Sequence, residues 1–147
     1  MKPFKKLLVP TDFSAPSNAA VQIAAELSRR YEASMTIINV YEPTTYMVPD
    51  GFQFYTQAQL ESILAEFAKA LIGAKREAES AGALNVTTQQ LEGIPSAQIV
   101  EFARIGDYDL IVMGTHGRKG FEHALIGSVA EKVVRSAPCP VLSVRAR

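Results

Sequence analysis

The chain has 147 residues, a mass of 16.0 kDa and 15 acidic side chains against 15 Lys and Arg, so its formal net charge is zero. This balance argues against a dedicated DNA- or RNA-binding protein, which needs a surplus of basic residues to displace counterions from phosphates. A small anion can still be bound, because a few backbone N–H groups suffice for that. Hydrophobic residues make up 48% of the sequence, which is typical of a globular protein and excludes a disordered chain. We expect a single domain spanning residues 1–147.

Cys139 is the only cysteine, which excludes an intramolecular disulfide and a zinc site built from cysteines. We interpret it as a small, partly buried apolar residue. The apolar stretch near the amino terminus soon meets Pro10 and Asp12, so it is too short for a signal peptide or a membrane span. The sequence therefore predicts a soluble, cytoplasmic protein with no membrane partner.

In the first third of the chain, a short apolar run is followed by a segment of helical periodicity. Leu7–Val9 predicts a strand buried on both faces. Ser14 and Pro16 mark the start of a helix whose apolar residues extend to Tyr31. Residues 35–40 are rich in β-branched side chains and predict a second strand.

The periodicity breaks between Tyr41 and Tyr55, where two prolines, a glycine and five aromatic residues occur together. This composition predicts a loop that is longer than usual for a compact domain. Such a loop is either a surface flap with its aromatic side chains folded down or a part of a ligand site.

In the second half of the chain, three helices alternate with three strands. Thr56 and Gln59 form a predicted capping box at the start of a long helix that ends near Ala81, before Gly82. A strand nearer an edge of the sheet follows at 85–91. The remaining predicted elements are a helix opened by Gly93–Pro95, a buried strand at 110–113, a short helix at 128–136 and a final strand at 140–144.

The predicted element order is β-α-β-α-β-α-β-α-β. Strands joined through helices run parallel, and right-handed crossovers place helices on both faces of the sheet. The sequence therefore predicts a doubly wound, Rossmann-like α/β fold with a five-stranded parallel sheet. In such folds, ligands bind at the carboxyl ends of the strands where the winding direction reverses.

A glycine-rich segment follows the fourth predicted strand, where this fold class binds ligands. Gly114 and Gly117 allow the backbone to approach a ligand closely. Ser128 and Glu131 form a predicted capping box, and free N–H groups at such a helix start make an anion site. The spacing is neither that of a Walker P-loop nor that of the dinucleotide-binding fingerprint. From these residues alone, the segment is either a structural turn or a ligand site.

The spacing Gly114-x2-Gly117-x9-Gly127-Ser128 resembles the G-2x-G-9x-G-[S/T] nucleotide motif of the universal stress protein family. Segments 8–14, 39–40, 109–117 and 137–141 are also similar to that family, so the resemblance covers the whole chain. It implies that the base and ribose of ATP lie at the ends of the first two strands, with the phosphates at the glycine-rich segment.

The resemblance also implies a role for individual residues. Pro10, Thr11 and Asp12 match positions at the base and ribose, and Val40 matches the residue whose backbone meets the adenine edge. The positions beside the ribose are Met113 and Gly114, and those around the phosphates are His116, Gly117, Gly127, Ser128, Val129 and Ala130. Asp12 could instead cap the first helix, and Arg118 could either steer the terminal phosphates or be a solvated loop residue.

The resemblance implies a homodimeric regulatory or stress-response protein that binds ATP, ADP or AMP with a divalent cation such as Mg²⁺. The final strand, Val141–Val144, favours pairing with a second copy because a short apolar edge strand invites it. We expect a binding protein rather than an enzyme, with unknown protein partners, and assign no catalytic or metal-binding residue. The alternatives are a slow ATP hydrolase and a protein-interaction module that binds no nucleotide.

Overall fold

The computed structural model describes residues 3–43, 45–48, 51–116 and 126–146. The strands are β1 (Lys6–Pro10), β2 (Ser34–Tyr41), β3 (Thr45–Val48), β4 (Gly51–Phe54), β5 (Leu84–Glu92), β6 (Leu110–Gly114) and β7 (Val141–Val144). The helices are α1 (Ala15–Tyr31), α2 (Gln57–Ser80), α3 (Pro95–Ile105) and α4 (Ser128–Ser136). The elements of the predicted β-α alternation are all present, and β3 and β4 are additional.

Five strands form one parallel sheet in the order β5-β2-β1-β6-β7. β1 lies at the centre, and its residues Leu7, Leu8 and Val9 are completely buried, because helices cover the sheet on both faces. The chain adds strands on one side of β1 and then on the other, so the winding direction reverses between β1 and β6. The predicted doubly wound α/β fold and the edge positions of β5 and β7 are confirmed.

Two separate hydrophobic cores occupy the two faces of the sheet. One core packs α1 and α2 on the sheet through small residues such as Ala24 and Ala78, together with Leu71. The other packs α3 and α4 against the opposite face through Ile99 and Val133. Alternate residues of each buried strand therefore contribute to different cores, which explains why these strands read as continuous apolar runs.

The two helices on the first face begin where the sequence predicts. The Ser14 side chain accepts a hydrogen bond from the backbone N–H of Ser17 and caps α1. In the Thr56–Gln59 capping box, the N–H of Gln59 donates to the Thr56 hydroxyl at 3.1 Å, and the N–H of Thr56 donates to the Gln59 side chain at 2.9 Å. Polar side chains thus satisfy N–H groups that the helix geometry leaves unpaired.

The prediction of a loop over Tyr41–Tyr55 is wrong. β2 continues through Tyr41, and residues 45–48 and 51–54 pair as the antiparallel hairpin β3–β4, with Val48 opposite Gly51. Prolines and a glycine in one segment are typical of a loop. The β-prone residues beside them form strands instead, and Gly51, the first residue of β4, has a left-handed backbone with φ of 126°.

Two further observations bear on the sequence predictions. Cys139 is partly buried beside the core of α3 and α4, as predicted. Among the residues that the structure describes, no helix is both long enough and apolar enough to cross a membrane.

Candidate functional site: a cavity at the carboxyl edge of the sheet

A cavity of about 540 Å³ opens at the carboxyl edge of the sheet, beside the ends of β1, β2 and β6. This is the edge at which the winding reverses, and the volume lies within the ordinary range for small-molecule sites. The predicted site residues that line it are Pro10, Thr11, Asp12, Val40, Met113, Gly114, His116, Ser128 and Val129. Positions that are far apart in the sequence are therefore brought together around one space.

The other predicted residues are placed differently. Ala130 points away from the cavity, since its side chain is 2% exposed and packs in the core of α3 and α4. Gly127 is the N-cap of α4, and its N–H donates to the carbonyl of Thr115. Gly117 and Arg118 lie outside the described residues, so the structure does not test their predicted roles.

The end of β1 holds the Asp12 carboxylate in a fixed position. Its Oδ1 atom accepts hydrogen bonds from the hydroxyl of Ser17 at 2.8 Å and from the backbone N–H of Ser14 at 3.0 Å. Phe13 has a left-handed backbone with φ of 64°, and its N–H donates to the Thr11 hydroxyl at 3.0 Å. Asp12 thus supports the start of α1 without being its N-cap, and it also lines the cavity.

At the end of β2, backbone groups point into the space beyond the last residue of β1. The carbonyl of Ile38 accepts from the N–H of Thr11 at 2.8 Å, and β1 pairs with β2 no further than Pro10 opposite Ile38. Because alternate residues of a strand direct their N–H and C=O groups to the same side, those of Val40 also point toward β1. β1 has already ended there, so Val40 offers a donor and an acceptor at the cavity.

Asn39 also lines the cavity, and it was not among the predicted site residues. Its side chain is buried, and Nδ2 donates to the carbonyl of Thr11 at 2.9 Å. Its Oδ1 atom is buried without a hydrogen-bond partner in the part of the chain that the structure describes. A polar residue inside an otherwise apolar strand is the sequence signal that could have identified it.

The start of α4 forms another wall, and here one prediction is wrong. The N-cap is Gly127, whose carbonyl accepts from the N–H of Glu131 at 2.9 Å, so Ser128 is the first helical residue and no Ser128–Glu131 capping box forms. The helix begins one residue earlier than the capping pattern requires. No side chain of a described residue caps it, so the first N–H groups of α4, those of Ser128, Val129 and Ala130, lack intrahelical partners. This is the geometry of an anion site at the positive end of a helix.

Two glycines allow the elements around the cavity to approach one another closely. A Cβ on Gly114 would lie 2.8 Å from the backbone of Pro16, so the glycine lets β6 pass against the start of α1. A Cβ on Gly127 would lie 2.9 Å from the carbonyl oxygen of Thr115. The glycine spacing therefore has a packing cause that is independent of any ligand.

Apolar side chains from both helix layers form the remaining walls. From α2 come Leu60, Ile63 and Phe67, and one turn further along the same helix Leu71 is part of the core. From the opposite layer come Ile94, Pro95 and Ile99. Periodicity identifies the apolar face of a helix but not where along that face the core ends, which is why these residues were missed.

Polar groups at the rim complete the site. Tyr41, Glu42, Tyr55 and Lys132 line the cavity and were not predicted as site residues, although the aromatic segment was considered for a ligand role. Loss of hydration, together with the neighbouring Glu92 carboxylate, raises the pKa of the Tyr41 hydroxyl, which donates to Glu92 at 3.4 Å. Tyr41 therefore stays protonated at neutral pH. Within the described residues, no group of three His, Cys, Asp or Glu side chains could hold a metal ion.

Comparison with known proteins agrees with the fold. The sequence profile of the Universal stress protein family matches residues 3–145. A universal stress protein of Methanocaldococcus jannaschii is 38% identical over 143 residues, covering 97% of this chain and 82% of that protein. The structure of UspA from Lactobacillus plantarum has a TM-score of 0.79 at 27% identity, covering 99% of this chain and 100% of that one. A universal stress protein in complex with cAMP has a TM-score of 0.77 at 26% identity, with the same coverage. The chain therefore belongs to the universal stress protein family.

Proposed function

We propose that this protein binds ATP, or the related nucleotides ADP and AMP, in the cavity at the carboxyl edge of the sheet, and that it acts as a regulatory protein in the stress response. One observation carries the proposal: the cavity joins an apolar space at the end of β2 to the start of α4, whose first N–H groups have no partner within the helix. A nucleotide has the matching distribution of chemistry, with a planar apolar base at one end and anionic phosphates at the other. The related structure with bound cAMP supports an adenine nucleotide as the ligand class.

The base would be held at the ends of β1 and β2. The N–H and C=O of Val40 form an adjacent donor and acceptor, which is the pattern that the amino group and the neighbouring ring nitrogen of adenine require. The apolar side chains of Ile63 and Phe67 line the space on one side of the sheet, and Ile99 lines it on the other. Asp12 would accept a hydrogen bond from a ribose hydroxyl or from an amino group of the base.

The phosphates would be held at the start of α4. Ser128 offers its backbone N–H and its hydroxyl, and Val129 and Ala130 offer further N–H groups. Lys132 follows one turn after Ser128 and adds a positive charge on the cavity side of the helix. A divalent cation such as Mg²⁺ would be bound chiefly through the phosphates, because that ion is commonly held by phosphates and water rather than by a dedicated protein site.

Binding is favoured over hydrolysis as the activity. Phosphoryl transfer to water needs a group that orients the attacking water beside the terminal phosphate. Among the described residues, the carboxylates that line the cavity are Asp12 and Glu42, which follow β1 and β2 rather than α4. We therefore expect tight binding without appreciable release of inorganic phosphate.

We also propose that the protein is a homodimer formed through β7. This strand lies at an edge of the sheet, where its outer N–H and C=O groups can pair with a second copy. Leu142 on β7 and Val134 on α4 are 38% and 50% exposed, respectively, and would be covered by the partner. The cytoplasm is the compartment in which we expect this dimer and its protein partners to act.

Thermal unfolding against ATP, AMP, GTP and cAMP, with and without Mg²⁺, tests the proposed function. The protein is first unfolded and refolded to remove any nucleotide carried through purification. At 100 times its dissociation constant, a ligand stabilises the folded state by about 2.7 kcal/mol. For a protein of this size, that raises the midpoint by roughly 5–11 °C. A midpoint that none of the nucleotides raises would contradict the proposal, and phosphate release measured in the same samples tests hydrolysis.

A further inference from the structure

His116 lies where the end of β6 meets the start of α4. It is half-buried and lines the cavity, together with Ser128, Val129 and Lys132 of that helix. Its backbone passes close to the N-cap, since a Cβ on Gly127 would lie 3.3 Å from the Cα of His116. A charge on the imidazole ring would therefore be close to the N–H groups that are proposed to hold the phosphates.

The hydrogen bonds of the neighbouring Thr115 determine which ring nitrogen of His116 carries hydrogen. The Thr115 hydroxyl donates to the carbonyl of Val144 at 3.2 Å, and the same hydroxyl oxygen lies 3.2 Å from His116 Nδ1. A hydroxyl has one hydrogen, so a single arrangement satisfies both contacts, in which Nδ1–H donates to the Thr115 oxygen. The neutral ring therefore carries its hydrogen on Nδ1, and Nε2 is the nitrogen that gains a proton when the ring becomes charged.

Charged groups of both signs lie on the elements around His116. Asp12, Glu42 and Lys132 line the same cavity, whereas Glu131 on the exposed side of α4 pairs with Arg135. Phosphates bound at the start of α4 would add several negative charges, of which Lys132 offsets one. Within the described ranges, the charged residues at this edge of the sheet or on α4 are Asp12 before α1, Glu42 after β2, Glu131, Lys132 and Arg135 on α4, and Arg145 after β7.

From this placement we infer that His116 makes nucleotide binding dependent on pH, by taking up a proton at Nε2 when the phosphates enter the cavity. Histidine ordinarily changes its charge between about pH 5 and 8, so the phosphates of a bound nucleotide can protonate it near neutral pH. The effect acts through charge, so it requires proximity but no direct contact between Nε2 and a phosphate oxygen. The inference rests on the proposed nucleotide function and adds how pH regulates the site.

The sign of the dependence follows from linkage between the proton and the nucleotide. If binding takes up a proton, protonation strengthens binding by the same factor. The affinity is therefore highest where the imidazole is already charged, and it falls as the pH rises from 6 to 8. Adenosine, which has no phosphate, should bind without this uptake.

Isothermal titration calorimetry at pH 7 measures the proton uptake. Refolded, nucleotide-free protein is titrated with ATP and Mg²⁺ in two buffers that differ in their enthalpy of ionisation, and the difference in observed heat gives the number of protons taken up. ATP itself titrates near neutral pH, so the contribution of His116 is the difference between the wild type and a variant. The same titrations with adenosine show whether the uptake depends on the phosphates.

The variants assign the uptake to one histidine. In His116→Gln the uptake should be lost, and the ATP affinity of the wild type relative to this variant should fall roughly 3- to 10-fold between pH 6 and 8. His116→Lys keeps a positive charge over this range and should bind ATP without the uptake. The matched control is His123→Gln, which removes the only other histidine in the sequence and should keep it. A denaturation curve shows which variants fold, and either substitution at position 116 suffices.

Nitrogen-15 NMR tests the assignment of the hydrogen in the absence of any ligand, because ring nitrogens with and without hydrogen differ in chemical shift. The sequence has two histidines, so the spectrum of His116→Gln identifies the signals of His116. At pH 8, the nitrogen that carries hydrogen should be Nδ1. After addition of ATP at pH 7, the fraction of His116 with hydrogen on both nitrogens should increase.

The outcomes separate this inference from the proposed function. If the wild type binds no nucleotide, both are wrong. If ATP binds but His116→Gln takes up as many protons as the wild type, or His123→Gln loses the uptake, only the role of His116 is overturned. An equal uptake with adenosine, or a hydrogen on Nε2 at pH 8, overturns it as well and leaves nucleotide binding established.

Discussion

The backbone N–H of Gly127 donates a hydrogen bond to the carbonyl oxygen of Thr115 at 2.5 Å, which ties the start of α4 to the end of β6. A Cβ at position 127 would lie 2.9 Å from that oxygen and 3.3 Å from the Cα of His116. Gly127→Ala should therefore displace α4, lower the free energy of unfolding by about 1–3 kcal/mol and weaken ATP binding. Urea denaturation and calorimetry measure the two effects.

The control is Gly73→Ala in α2, where a Cβ meets nothing within 4 Å. This substitution should stabilise the protein by roughly 0.5–1 kcal/mol and leave ATP binding unchanged.

The two interpretations of Asp12 can be separated by two substitutions. Asp12→Asn keeps an oxygen that can accept from Ser17 and Ser14, so the free energy of unfolding should change by less than about 1 kcal/mol, while the loss of charge lowers ATP affinity. Asp12→Ala removes the acceptor from the buried Ser17 hydroxyl and should also cost about 1–3 kcal/mol of stability. If Asp12→Asn binds ATP with wild-type affinity, the charge of Asp12 has no role in binding.

The contribution of Lys132 to the binding free energy should increase with the negative charge on the phosphates of the ligand. Lys132→Met is expected to lower ATP affinity roughly fivefold, which corresponds to about 1 kcal/mol for a solvated charge pair, and to leave adenosine affinity unchanged. The difference in ATP affinity between the wild type and Lys132→Met should shrink as salt is added, because exposed charges are screened. Lys69→Met removes an exposed lysine of α2 that does not line the cavity and should have no effect. Equal losses for ATP and adenosine would contradict an electrostatic role.

The dimer can be tested at Val141 without damage to the sheet. The N–H of Ile111 donates to the carbonyl of Pro140, so alternate residues of β7 face β6, and Val141 directs its own N–H to the outer edge. Val141→Pro removes a donor that only a second copy would use and should convert a dimer to a monomer in sedimentation velocity. Val141→Thr keeps the N–H and a similar shape, and should remain dimeric. A dimer that persists in Val141→Pro places the interface elsewhere.

Alkylation of Cys139 should report its environment, since it is the only cysteine. Burial raises the pKa of the Cys139 thiol, and the Asp109 carboxylate raises it further. Because the thiolate is the reactive form, the rate with iodoacetamide should lie well below that of an unfolded control at pH 8 and continue to rise above pH 9. A rate that levels off below pH 8 would mean that the pKa is lowered instead. The alkylated fraction is measured by mass spectrometry.

The alternation of apolar runs and helical stripes was sufficient to predict the five parallel strands and the helices between them. Each of those elements carries a local signal, such as the Ser14 cap or the fully buried run at Leu7–Val9. The pairing of β3 with β4 was missed because proline and glycine beside short strands carry the same signal as proline and glycine in a loop. What distinguishes them is the pairing of two segments, as in Val48 with Gly51, which periodicity within one segment does not contain.

For the candidate site, the residues that the family resemblance implies at strand ends all line the cavity. Asp12 and Val40 lie at the ends of central strands, where a parallel sheet gathers them at one edge. Ile63, Ile99 and Lys132 belong to helices, and only the tilt and packing of those helices decide which of their side chains reach the cavity. The start of α4 at Ser128 was placed correctly, but the cap was not, because capping depends on backbone geometry at a single residue.

The position of the cavity between the two helix layers has a consequence for how the protein unfolds. Phe67 belongs to the layer of α1 and α2, and Ile99 belongs to the layer of α3 and α4, yet both line the same space. Each layer has its own core, and among the described residues the two cores lie on opposite faces of the sheet. A ligand that touches both would be released when either layer opens, and its binding free energy would oppose both openings equally. Hydrogen exchange would then slow in both layers together, and ligand occupancy would make two separately stabilised halves open as one cooperative unit.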